Sequence, residues 1–165
     1  MTIEDKRNEA IKYVEDVWEQ LLFENDDSAD TIHLMGLHDA IWHASTQILP
    51  ALEVQAVIDS RNQIFVSTGT AGYVDYLTID PSILIGMKLP IRCWIHTHPF
   101  GAAYFSGTDI RTISIWQTMM DSAYVLGSKM STKGHYGFWT SRKKNELEIY
   151  VNNEPREVQT WGEEE

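Results

Sequence analysis

Fourteen residues, His96-Thr97-His98-Pro99-Phe100-Gly101-Ala102-Ala103-Tyr104-Phe105-Ser106-Gly107-Thr108-Asp109, constrain this chain more than any other stretch. They join a strand to a helix. The run Ile91 to Ile95, apolar apart from Arg92, has the composition of a buried strand. Pro99 then ends its pairing, because proline has no backbone donor. Ser106 to Asp109 reads S-x-x-D, a capping box, ahead of an apolar-periodic run. With Ile110, Ile113, Trp116 and Met120 near one face, that run predicts a helix from about Gly107 to Met120. On a strand, residues i and i+2 share a face, so His96 and His98 point together while Thr97 points away. Asp109, in the first helical turn, can turn its carboxylate back toward the strand end. Each piece alone has an ordinary reading, as a packed histidine pair or a helix cap. Together they offer three ligands for Zn²⁺ and leave a fourth position for water, the open pattern of a catalytic site. A His₂Asp set does not by itself exclude Fe²⁺ or Mn²⁺.

The rest of the chain has the punctuation of one mixed domain, with no internal repeats or low-complexity tracts. Thr2 to about Asn25 predicts an amphipathic helix, with Thr2 and Asp5 as its cap pair and Ile11, Val14, Trp18, Leu21 and Leu22 on one side. Its simplest role is packing on the domain, with homodimer formation or partner docking as alternatives. A second helix is expected from roughly Gly36 to Leu49, before Pro50. His33, His38 and His43, spaced by five, do not share a helical face and read as structural or surface residues. Leu52 to Ile58 reads as a strand, followed by a turn at Ser60–Asn62 and a strand at Ile64–Val66. Thr68–Gly72 is expected as a loop, Tyr73–Leu77 as a strand and Pro81–Met87 as a short helix. Tyr124–Leu126 reads as a strand and Gly127–Gly134 as a polar loop. Tyr136–Thr140 and Leu147–Val151 form a hairpin about Ser141–Asn145. The expected class is α+β, a three-layer αβα arrangement with a mixed sheet flanked by helices. The expected division is a helical extension over 1–27, a core over 28–151 and a tail over 152–165, with Gly162–Glu165 frayed.

The 165 residues carry 24 acids against 13 bases, a net charge of −11. That balance argues against nucleic acid as a partner, since phosphate binding needs a basic footprint. No apolar run reaches membrane length, and the polar opening Met1–Arg7 is not that of a secretory signal. The single cysteine, Cys93, forms no internal disulfide and fits a reducing, cytoplasmic setting. It also excludes the paired-cysteine zinc set of the deaminases. Cys93 itself reads as a buried strand residue.

His96-x-His98-Pro99 followed after a short spacer by Ser106-x-x-Asp109 closely resembles the JAMM (MPN-plus) metalloprotease motif. The flanks Cys93-Trp94-Ile95 and Ile110-Arg111-Thr112 look like those of AMSH-type and proteasome-lid members. The resemblance covers about Leu37 to Val151. It implies a deaminase-like MPN core, one Zn²⁺ held by His96, His98 and Asp109, and an upstream glutamate that handles the proton of the attacking water. Leu52-Glu53-Val54-Gln55-Ala56-Val57-Ile58 resembles the segment carrying that glutamate, with Glu53 in its register. Gln55-Ala56 stands where the family has Cys-Gly. Asp39, in a helical pattern, and Asp59, in a turn, are the competing acids. Ser106 is the implied donor to the oxyanion. Ser67–Pro81 and Gly127–Gly134 correspond to the two insertions that frame the family's substrate groove. The second lacks the cysteines of the AMSH-type structural zinc, leaving His135 alone.

The implied activity is removal of ubiquitin or a ubiquitin-like modifier from lysine. Alternatives are trimming the C-terminal tail of a ubiquitin-like or sulfur-carrier precursor, and a non-catalytic MPN scaffold.

Overall fold

The computed structural model describes residues 1–25, 31–69, 86–100, 103, 105–127, 136–143, 146–151 and 154–160, with the backbone alone at 31–35. The expectations for Tyr73–Leu77, most of Pro81–Met87, the two groove insertions, His135 and the Gly162–Glu165 end lie mainly or wholly outside these residues. So does the side chain of His33.

Helix α1 spans Ile3–Glu24. Thr2 caps it with the expected box: the Asp5 amide donates to Thr2 Oγ1 at 3.1 Å, and the Thr2 amide donates to Asp5 Oδ2 at 3.1 Å. Helix α2 spans Thr31–His43 and runs into a five-residue π-helical turn, Ala44–Ile48. The strands are β1 (Val54–Ile58), β2 (Ile64–Thr68), β3 (Cys93–His98), β4 (Ser122–Gly127), β5 (Tyr136–Thr140), β6 (Glu146–Val151) and β7 (Glu154–Thr160), with α3 (Gly107–Trp116) between β3 and β4. They form one sheet in the order β2-β1-β3-β4-β5-β6-β7. Only β3 and β4 pair in parallel; every other neighbour is antiparallel. The class is therefore α+β with a mixed sheet, as expected.

Period-2 alternation sorts the sheet into two apolar faces. Val54, Ala56, Ile58, Cys93, Ile95, Tyr124 and Leu126 join Ala10, Val14 and Trp18 of α1 and Leu37 and Ile41 of α2 in one core. Val57, Trp94, Ala123, Val125 and Trp139 join Ile113 of α3 in the other. Helices thus cover both faces. Helix α1 is part of the main core, and the Trp18 indole N–H donates to the Asn62 carbonyl at 2.8 Å. This N-terminal helix is bound to the domain by a buried apolar stripe.

Helix α2 begins at Thr31, five residues before the expected Gly36, and three further boundaries also depart from the expectations. Helix α2 gives way at Ala44 to the wider turn, in which the buried Ser45 reaches the Leu52 carbonyl ahead of β1 and Thr97 of β3. Helix α3 ends at Trp116 and not at Met120. Beyond it the Ile91 amide donates to the Met119 carbonyl at 2.7 Å and the Asp121 amide to the Ile91 carbonyl at 2.8 Å, so sheet-type bonding takes the backbone. Residues 154–160, expected as tail, form the edge strand β7 on β6. Its residues are almost all exposed and carry no apolar alternation. Backbone pairing holds it, and its charges and Pro155 are the features that guard an open edge.

Gly137 in β5 lies under the connection that leads into α3. A Cβ there would stand 2.7 Å from Val125 Cγ1, 3.2 Å from Phe105 Cε2 and 3.4 Å from the Ala103 carbonyl. Gly137→Ala is expected to lower stability by about 1–3 kcal/mol through overpacking, read from the urea unfolding midpoint.

Candidate metal centre

Strand β3 and helix α3 belong to one β-α-β unit whose parallel strands are β3 and β4. The site sits where β3 ends and α3 begins, the end of such a unit at which ligands bind. His96 and His98 share the α3 face of β3, and Thr97 points to the other, where its hydroxyl lies 3.0 Å from Ser45 Oγ. The imidazole Nε2 atoms of His96 and His98 stand 3.0 and 3.3 Å from Asp109 Oδ2. Ligand atoms of the three residues all lie within 4.8 Å of one another. His96 and Asp109 are buried, and His98 is half-buried.

The capping box and the metal set coexist. The Asp109 amide donates to Ser106 Oγ at 3.1 Å, and the Ser106 amide donates to Asp109 Oδ2 at 2.9 Å. The cap thereby fixes the rotamer that turns the carboxylate toward the histidines. Burial pushes the Asp109 carboxyl up, but the His96 charge, the two close imidazoles and the bond from the Ser106 amide outweigh it. The carboxyl is held well below the usual carboxylate range, ionised as a ligand must be.

These residues fit a metal ion. His96 Nε2 is buried and lacks hydrogen-bond geometry to any described group, although Asp109 Oδ2 is only 3.0 Å away. Two imidazole nitrogens and a carboxylate oxygen that converge this closely are a donor set that suits a cation between them. In a tetrahedral site with ligand bonds of about 2.0–2.1 Å, neighbouring ligand atoms stand about 3.3 Å apart. The observed 3.0 and 3.3 Å are close to that edge.

Glu53 faces the same centre. Gln55 pairs with His96 across β1 and β3, and Glu53, two residues before it and just ahead of β1, lies close enough to His98 and Asp109 to feel both charges. Its exposure is only 8%. Its carboxyl is pushed up from 4.5 to about 7 by burial, partly offset by His98 and reinforced by Asp109. The backbone on either side of it is clamped. Ser45 Oγ donates to the Leu52 carbonyl at 2.6 Å, the Val54 amide donates to Thr97 Oγ1 at 2.9 Å, and the Gly69 amide donates to the Glu53 carbonyl at 3.0 Å.

The competing acids lie elsewhere. Asp59 accepts from the Arg61 and Gln63 amides through Oδ1 and from Gln63 Nε2 and the Lys88 amide through Oδ2. It organises the β1–β2 turn. Asp39 is exposed on α2. His38 is buried with its ring 4.5 Å from that of Tyr124, and burial lowers it to about 3, so it is a neutral core residue. His43 is exposed.

Two further residues, Trp94 and Gln55, complete the surroundings. Trp94 stacks on His96 with ring centroids 4.6 Å apart and planes 13° apart, and Gln55 Oε1 accepts the Trp94 indole N–H at 2.8 Å. Alternation already put Trp94 and His96 on one face; the Gln55 contact needed the strand register.

No family model matches this chain, and neither a curated protein nor a solved structure matches it. No described helix is long and apolar enough to cross a membrane.

Ser106 has separable roles. Its oxygen accepts from the Asp109 amide, which leaves its O–H to donate toward the site. Ser106→Ala is expected to cost about 1 kcal/mol of stability as a lost cap. If the hydroxyl also stabilises an oxyanion, kcat falls by roughly 10²–10³. Thermal melts beside steady-state kinetics separate the two losses.

Proposed function

We propose that this chain is a zinc-dependent isopeptidase of the JAMM/MPN-plus type that removes ubiquitin or a ubiquitin-like modifier from lysine. The observation that carries the reading is one buried cluster: two imidazoles and an ionised carboxylate within ligand distance, beside a glutamate with a pKa of about 7. The sheet with helices on both faces supports taking the fold as the MPN core. Cys93 as the single cysteine supports a cytoplasmic setting.

His96, His98 and Asp109 would hold the metal, which supplies a Lewis acid and lowers the pKa of water into the neutral range when bound. Glu53, poised near neutrality, takes a proton from the attacking water and returns it to the departing lysine amine, base then acid. Ser106 Oγ–H donates to the oxygen that gains charge at the scissile carbonyl. Burial around Glu53 and Asp109 strengthens these interactions by excluding water.

The test is cleavage of a ubiquitin–lysine isopeptide conjugate by the zinc-loaded full chain, with and without a chelator. Chelator-sensitive release of free modifier and intact lysine is expected. Release of a linear tail peptide only, read by mass spectrometry, would favour precursor trimming. A zinc-loaded, folded chain inert toward both classes would favour a scaffold.

A further inference from the structure

Gln55 is an unusual residue for its place. It is fully buried, 0% exposed, on β1 between the edge strand β2 and β3, and paired with Ser67 and His96. Its side-chain oxygen takes the Trp94 indole N–H at 2.8 Å. Its Nε2 is buried with no hydrogen-bond partner among the described residues. An orphaned buried donor costs about 1–3 kcal/mol, and an aliphatic side chain here would avoid that cost. Rotating the amide would set its NH₂ against the indole N–H, donor against donor, so the observed orientation is the one the contact dictates. The chain therefore tolerates an unsatisfied amide in order to hold one indole.

That indole touches a site residue. Trp94 is two positions before His96 on the same face of β3, and the two rings stack at 4.6 Å and 13°. His96 Nδ1 is buried without a described partner, so no bond from that nitrogen to a described group sets the ring plane. The plane of a metal-binding imidazole is ordinarily set by such a bond. Of the rings that meet His96, Trp94 is the one stacked flat on it, while those of His98 and Phe105 stand at 70° and 53° to it, and the Gln55 oxygen takes the one N–H of that indole.

We propose that Gln55 is a positioning residue for the metal centre: through the Trp94 indole it fixes the ring plane of His96. This rests on the metal-site reading above. It gives a function to the glutamine that stands where the resembled family has cysteine.

The test is a cycle of Gln55→Leu, Trp94→Phe and the double variant with two readouts on the full chain. The first is the ¹H and ¹⁵N shifts of the His96 ring in the metal-free protein, which sense the indole face. The second is Zn²⁺ and Co²⁺ affinity by chelator competition. Each single variant is expected to move the His96 signals toward those of a solvated imidazole and to weaken metal binding about 10–100-fold. The double variant is expected to lose little more than either single, because both break one chain of contacts. A purely structural glutamine would lower the melting temperature of Gln55→Leu and leave both readouts of the folded protein at wild-type values, which overturns the proposal. Additive losses overturn it as well, since Gln55 would then act on the site by another route. Should Gln55→Leu not fold, Trp94→Phe at wild-type affinity and shifts overturns the proposal in its place. A wild-type chain that takes up neither metal, while its His96 signals still respond to Gln55→Leu, would sink the metal reading and leave the positioning role standing.

Discussion

Glu53→Gln is expected to lower isopeptide turnover by roughly 10²–10⁴-fold, the usual worth of a positioned acid–base, with metal affinity close to wild type. Gln keeps the shape and removes the proton exchange. The carboxyl lies outside the three-residue cluster His96, His98 and Asp109, so the substitution removes none of the proposed ligands. A pKa of about 7 also sets a pH signature. In the metal-free protein the folded-state value lies above the ordinary 4.5, so the folded chain binds the extra proton between those two values. The associated stability is fully present below pH 4.5 and is lost as pH rises through about 7. Glu53→Gln cannot titrate, so the variant should gain on wild type as pH rises from 4.5 to 8. Groups that do not interact with Glu53 cancel in that difference. Urea midpoints of the chelated proteins at pH 4.5, 6 and 8 read it directly. A constant difference across the window would show that Glu53 ionises in the fold as it does in water, and its assignment as a base near neutrality would fall.

Asp109→Asn is expected to abolish metal binding, by at least about 100-fold in affinity, and with it all metal-dependent activity. Loss of an outer contact typically costs 10–100-fold, and in the proposed centre Asp109 is a direct ligand, its Oδ2 approached by both imidazoles at 3.0 and 3.3 Å. An amide oxygen can still accept from the Ser106 amide, so the cap of α3 and the fold should survive. Metal content by mass spectrometry, beside the far-ultraviolet melt of the metal-free protein, separates ligand loss from unfolding. Retention of stoichiometric zinc by the Asp109→Asn variant would mean that the three side chains form a structural polar network and that the ion binds elsewhere.

Much of this protein could be read along the chain because its signals are local. A capping box needs only Ser106 and Asp109 three residues apart, and the observed pair of backbone bonds is the expected one. Alternation places His96 and His98 together because the pleat has a period of two. The N-terminal helix was legible from Thr2, Asp5 and its apolar stripe. Two of the boundaries that differ share one cause, pairing with residues distant in sequence or absent from any local pattern. Helix α3 stops at Trp116 because Ile91 takes the backbone bonds of Met119 and Asp121. Strand β7 has no apolar pattern to announce it and exists because β6 offers an unpaired edge.

Sequence alone determined the types, the order and the projection of His96, His98 and Asp109 from one strand and one helix start, since these follow from residue chemistry and short-range geometry. Only the tertiary structure decided that Asp109 Oδ2 meets both imidazoles, that Glu53 rather than Asp39 or Asp59 faces them, and that Gln55 holds Trp94 against His96. Each of those depends on the register between β1 and β3 or on how α3 folds back over β3. Registers and crossovers are set by burial summed over the whole sheet, and no window of the chain contains that sum.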